Sequence, residues 1–164
     1  MVTNFHELYQ KYAQDVYRFA YWLCGNAQDA EDITSETFVR ALTSSGEIKS
    51  ETVKGYLLTI ARNLAYKRST REKRSVSMEN DLAEDRDQPA VLVENSASLQ
   101  TAMQFIQSLQ ETDRAALILR YQDDLSYEEI AGILSISLAA AKVKVHRARL
   151  KLTEFMRAQE ELQP

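Results

Sequence analysis

Leu125-Ser126-Tyr127-Glu128-Glu129-Ile130-Ala131-Gly132-Ile133-Leu134, then Ser135-Ile136-Ser137, then Leu138-Ala139-Ala140-Ala141-Lys142-Val143-Lys144-Val145-His146-Arg147-Ala148-Arg149, is the stretch on which the fold turns. Ser126 and Glu129 have the spacing of a capping box, in which each side chain satisfies a backbone N–H left open by the first helical turn. Ile130, Ala131 and Leu134 face inward from the short helix that follows, small Ala131 permits close approach, and Ile136 anchors a three-residue turn. The next helix runs from about Leu138 into the 150s. It places Val145, Ala148 and Leu152 on its underside and leaves Lys142, Lys144, His146, Arg147, Arg149 and Lys151 for an anionic partner. A capped short helix, a tight turn and a basic second helix form a helix-turn-helix, whose second helix enters the DNA major groove.

Upstream of this motif, Leu99, Met103, Ile106 and Leu109 mark one helix, and Ala115, Ala116, Leu119 and Tyr121 a shorter one. The first half of the chain reads as three more. Phe5, Leu8, Tyr9, Tyr12, Val16, Phe19, Ala20 and Leu23 recur at the intervals of one buried helical face. Gly25 stops that helix and Asn26 N-caps the next, which turns Ala30, Ile33, Thr37, Phe38 and Ala41 inward. After a polar loop at 43–52, Val53, Tyr56, Leu57, Ile60, Ala61, Leu64 and Ala65 define a third helix whose second half is almost wholly basic. From 75 to 98 the apolar period dissolves into an acidic, self-repelling linker. The expected fold is therefore all-α: two small helical domains, 1–74 and 99–164, joined by a flexible acidic linker at 75–98, with modest stability for cores of that size.

The totals agree. Four Gly and two Pro in 164 residues leave few breakers. No apolar run approaches a membrane span, no signal peptide is read at the N-terminus, and one cysteine, Cys24, suits a reducing cytoplasm. The net charge of −4 conceals segregation: residues 54–74 hold seven Lys/Arg against one Glu, and 142–157 six against one, while 75–98 holds six Asp/Glu against one Arg. A polyanion senses local potential within about 8–10 Å, so the two basic blocks outweigh the total. By themselves such blocks leave solvated helix faces as the lesser alternative. Cys24 reads as a buried structural thiol. His6 and His146 lie in different domains, so no metal set, catalytic dyad or cofactor site is visible and no catalytic residue is assigned. The aromatics of the first helix (Tyr9, Tyr12, Tyr17, Phe19, Tyr21, Trp22) exceed what one buried stripe needs; most are read as core and part of the excess as a surface for a regulator to cover.

Leu125 to Ala131 followed by Lys142 to Arg149 resembles the promoter −35-reading domain of extracytoplasmic-function (ECF) sigma factors, as do Leu109-Gln110-Glu111-Thr112-Asp113-Arg114 and Leu119-Arg120-Tyr121. Asp29-Ala30-Glu31-Asp32-Ile33 with Glu36-Thr37-Phe38 is similar to the family's polymerase-docking segment, and Gly55 to Ala65 to its −10-reading helix. The resemblance, to group IV of the sigma-70 family, implies a transcription initiation factor rather than an enzyme. Its partners would be core RNA polymerase (β′ clamp helices and β flap), promoter DNA and an anti-sigma factor, with a monomer when free or a 1:1 complex, in the cytoplasm and without membrane insertion.

The same resemblance implies residue roles. Asp29, Glu31, Asp32 and Glu36 would dock on the clamp helices, with Phe38 and Ile33 supporting that face from the core; dipole compensation at a helix start accounts for Asp29 to Asp32 but not for Glu36. Arg62 and Asn63, on the exposed side of their helix, with Lys67, Arg68, Arg71, Lys73 and Arg74, would hold the opened −10 strand, and loop 43–52 would cradle an unstacked base. Ser126, Tyr127, Ala140, Lys142, Val143, Lys144, His146, Arg147 and Arg149 would contact the −35 duplex. The sequence departs from the family pattern at Lys67, commonly Asp; at Ala139-Ala140-Ala141, usually Gly-Thr-Val; and at Ser135, usually Gly, where a left-handed residue costs about 1 kcal/mol. A dimeric helix-turn-helix regulator and a relative that only binds a protein partner remain alternatives at this point.

Overall fold

The computed structural model describes residues 5–43, 52–76 and 97–162, the side chains of 73–76 excepted. The loop expected to cradle a base, the Lys73 and Arg74 side chains and most of the acidic stretch lie outside the described residues. Within them the chain is helical without strands: α1 (Phe5–Cys24), α2 (Ala27–Thr43), α3 (Val53–Val76), α4 (Ala97–Ser108), α5 (Glu111–Tyr121), α6 (Tyr127–Leu134) and α7 (Leu138–Leu162). This is the expected all-α architecture, with three helices before the acidic stretch and four after it.

The first module forms as its periodicity requires. Val16, Phe19, Ala20 and Leu23 of α1, Ala30, Ile33 and Phe38 of α2, and Leu57, Ala61, Leu64 and Ala65 of α3 are buried together. Thr34 and Thr37 enter this core because their hydroxyls donate to the carbonyls of Ala30 and Ile33, 2.6 Å each. Gly25 turns the corner at φ +84°, and Asn26 caps α2 by accepting from the Asp29 N–H at 2.8 Å. The start of α1 departs from the expected stripe. Phe5 and Tyr9 are exposed, because burial in α1 is concentrated from Val16 onward, although Tyr9 meets Phe38 edge-on at 5.1 Å.

In the second module, Ala115, Ala116, Leu117, Ile118 and Leu119 are buried in succession. Helix α5 is covered on more than one side, by α6, α7 and α1, which is why its buried residues do not follow a single face. Expected core residues Tyr121 and Leu99 are exposed; Phe105 takes the core position instead, 5.1 Å from Phe155. The capping box at Ser126 and Glu129 forms as expected. Ser135 does adopt the left-handed conformation, φ 55° and ψ 46°.

The two modules are closed on each other. Helix α3 packs against α6, α1 packs against α4 and α5, and one continuous core runs through both. Leu58, which the periodicity of α3 does not place inside, is buried in this shared core. Of the surplus aromatics of α1, Tyr17, Tyr21 and Trp22 are half-buried against the shared core. Polar groups fasten the seam. Arg114 donates to the Leu23 carbonyl at 2.9 Å and to the carbonyls of Ile106, Gln107 and Leu109, placing a cation at the C-terminal ends of α1 and α4. Gln107 donates to the Trp22 carbonyl at 2.8 Å, and a Cβ on Gly25 would lie 2.9 Å from the Gln107 side chain.

Candidate nucleic-acid interface

Helix α7 is positioned by what it buries. Ala141, Val145 and Ala148 are fully buried beneath it and Leu152 half-buried, while the Ser137 hydroxyl accepts from the Ala140 N–H at 3.0 Å to cap its first turn. The opposite face presents Ala139, Lys142, Val143, His146, Arg149 and Leu150 to solvent. Exposed Val143 supplies an apolar contact suited to a thymine methyl, and Lys142 suits a phosphate.

Lys144 and Arg147 are not left free for DNA as expected. Both reach back to Asp113 at the start of α5: Lys144 Nζ lies 3.5 Å from Oδ1 and Arg147 Nε 3.2 Å from Oδ2. Ser126 and Tyr127 are also committed. The Ser126 hydroxyl is held in the capping box, and the half-buried Tyr127 ring lies under the Arg120 guanidinium at 4.4 Å. Ala140 is half-buried, and Arg149 sits 6.0 Å from the Tyr121 ring.

On α3, Asn63, Lys67 and Arg71 are exposed as expected, together with Tyr66, an aromatic that the motif pattern did not single out. Arg62 is the exception. It pairs with Glu111 of α5, both side chains only 14% exposed, and its guanidinium also lies 5.1 Å from the Tyr66 ring. Arg68 spans to α2, 3.3 Å from Asp29 and 3.5 Å from Asp32. Of the acidic set on α2, Glu31, Asp32 and Glu36 are exposed, Asp29 is largely engaged by Asn26 and Arg68, and Phe38 is wholly in the core.

The sequence reading missed the acidic partners Glu111, Asp113 and Asp123. Asp123 is buried 3.6 Å from Lys54 of α3. Its burial pushes the carboxyl up to about 6, with Lys54 opposing and Asp15 reinforcing the rise. No spacing rule finds such residues, because their partners lie on other helices. Burial raises the Cys24 thiol to about 12, so it stays protonated and unreactive. Among the described residues no cluster of side chains could hold a metal, and no helix is long and apolar enough to cross a membrane.

A three-helix module carrying a basic helix, closed on a four-helix module ending in a helix-turn-helix, defines a two-part DNA-binding protein. Residues 8–75 match the Sigma-70 region 2 family and residues 99–152 the Sigma-70 region 4 family. RNA polymerase sigma factor YlaC of Bacillus subtilis is 30% identical over 93% of this chain and 92% of its own length. ECF RNA polymerase sigma factor SigM of the same species is 33% identical over 89% and 91%. ECF RNA polymerase sigma factor SigE of Mycolicibacterium smegmatis is 36% identical, the chain spanning 62% of that longer protein. Among solved structures, the sigma factor RpoE of Bartonella quintana, in complex with the anti-sigma factor NepR, superposes with a TM-score of 0.77 at 27% identity, over 95% of this chain and 98% of that one. The chain belongs to the sigma-70 family and, within it, to the ECF sigma factors, which are promoter-specific transcription initiation factors that bind RNA polymerase.

Proposed function

We propose that this sigma factor divides its work along the chain, with 1–74 docking on polymerase and holding the melted −10 strand, 99–164 reading the −35 duplex, and 75–98 linking them. The observation that carries this reading is α7: an apolar underside seated in the second module, a cap at Ser137, and a solvent face of Lys142, Val143, His146 and Arg149 joined to α6 by a tight turn. On α3, Asn63 supplies base hydrogen bonds, Tyr66 a stacking surface and Lys67 and Arg71 phosphate contacts. The acidic residues Glu31, Asp32 and Glu36 face the β′ clamp helices. The apolar groove of about 720 Å³ lined by Phe105, Leu117, Ile118, Tyr121, Phe155 and Met156 is offered to the β flap. The protein works in the cytoplasm by binding, not by catalysis.

The closed seam is the resting state of the free chain. It takes Arg62 out of the −10 face and sets α6 against α3, so engaging a promoter requires the modules to part. By analogy with RpoE and NepR, a protein antagonist holds the chain out of transcription. Transcription by core polymerase plus this protein from a template library randomised at both promoter elements tests the reading. Enrichment of paired −35 and −10 sequences is expected; transcripts that ignore both elements would overturn it.

A further inference from the structure

Asp113 occupies the third position of α5, where a carboxylate favours the positive end of the helix dipole. Dipole compensation needs no burial, yet Asp113 is 1% exposed. A buried carboxylate must be paired, and both of its partners come from α7: Lys144 Nζ at 3.5 Å from Oδ1 and the Arg147 guanidinium, whose Nη2 donates to Oδ1 at 3.4 Å while Nε lies 3.2 Å from Oδ2 as an ion pair without a hydrogen bond. The Arg147 side chain remains 48% exposed, so the guanidinium is held at one edge and open at the other. With Nη2 bonded to Oδ1 and Nε turned toward Oδ2, the remaining N–H groups of Nη1 and Nη2 form a planar fork on the rim of α7.

We propose that Asp113 is a positioning residue that presets Arg147 as an end-on fork for a base carrying two adjacent acceptors, guanine, in the −35 duplex. This rests on the assignment of α7 as the −35-reading helix. Oriented in advance, the fork matches guanine O6 and N7 as a bidentate pair. An untethered arginine can swing to the nearest phosphate and read nothing. Asp113 also draws Lys144 away from the groove, which leaves Arg147 as the reading cation on that side of the helix.

The test uses the full chain with core polymerase on templates carrying every single-base change at the −35 element. The wild type is expected to prefer guanine at one position by about tenfold or more. Asp113→Leu, which fills the buried site and frees both cations, should flatten that preference while the other positions keep theirs. Arg147→Lys, which keeps the charge and removes the fork, should do the same, and the double variant should add nothing. Retained preference in Asp113→Leu, or effects that multiply in the double variant, overturns the proposal. A wild type with no −35 preference removes the assignment of α7 itself, and the proposal falls with it. If Asp113→Leu does not fold, the wild type decides by NMR: an Arg147 guanidinium whose Nη1 and Nη2 groups give separate, slowly rotating signals supports the tether, and one whose signals average like those of an exposed arginine overturns it.

Discussion

Arg62 of α3 and Glu111 at the start of α5, 49 residues apart in sequence, join the two modules through paired contacts: Nε to Oε1 at 3.2 Å and Nη2 to Oε2 at 3.1 Å. The residue that family resemblance assigns to the −10 strand is thus spent on the chain's own second module. If Arg62 holds the −10 strand as proposed, Glu111 and a −10 phosphate or base offer acceptors to the same donors, and closure and strand capture compete.

Glu111→Gln weakens that competitor. Removing the charge of a largely buried pair should cost about 1–3 kcal/mol of stability, below the range for a fully buried pair because both side chains keep some solvent. Affinity of the free protein for a single-stranded −10 oligonucleotide should rise several-fold, read by fluorescence anisotropy. Stability lost without any gain in strand binding would separate the seam from the −10 face.

Ser135 ends α6 at φ 55°, and its N–H caps the helix by bonding back to Gly132 and Ala131. Side chains other than glycine are strained in that region. Ser135→Gly should raise stability by about 1 kcal/mol in denaturant titration, leaving the slope unchanged. An equal loss would show that the serine side chain supplies something its backbone angles do not reveal.

The helices and motifs were legible because they depend on local chemistry: the box at Ser126 and Glu129, the stop at Gly25, the cap at Asn26, and the apolar spacing of α1 to α3. The misplacements share one physical cause. Leu58, Leu117 and Ile118 are buried because their helices are covered on more than one side, whereas periodicity assumes a single covered face. Arg62, Lys144 and Arg147 were read as free cations because Glu111 and Asp113 lie on another helix, and which acid meets which base is decided by packing between elements. Phe5, Leu99 and Tyr121 fit the local stripe but lie at or near helix ends and stay exposed.

Asp123 makes the seam sensitive to pH. Its carboxyl is raised by burial from 3.8 to about 6, with Lys54 and Arg18 opposing and Asp15 assisting. The folded protein therefore holds this proton more tightly than the unfolded chain. The resulting stabilisation is full below about pH 4 and is lost as pH rises through 6. Asp123→Asn should match the wild type near pH 4 and exceed its melting temperature at pH 7, the gap opening between those values. Parallel curves would mean that the charged form is accommodated without cost.

On α2 the acids proposed to dock are held only by exposed partners: Glu36 by Arg40 at 3.0 Å, and Asp32 by Arg68 at 3.5 Å. Exposed pairs of this kind are worth at most about 1 kcal/mol, so a basic surface on polymerase displaces them readily. Asp32→Lys with Glu36→Lys should abolish binding to core polymerase while circular dichroism stays unchanged, since neither carboxylate supports the core. Asp29 behaves differently, because it closes the cap with Asn26. Asp29→Ala should cost about 1 kcal/mol of stability and leave most of the docking affinity intact. Should the double lysine variant still assemble with core polymerase at wild-type affinity, α2 is not the docking face, and Glu31, Asp32 and Glu36 are surface charges of a helix whose only role is to carry Ile33 and Phe38 into the core.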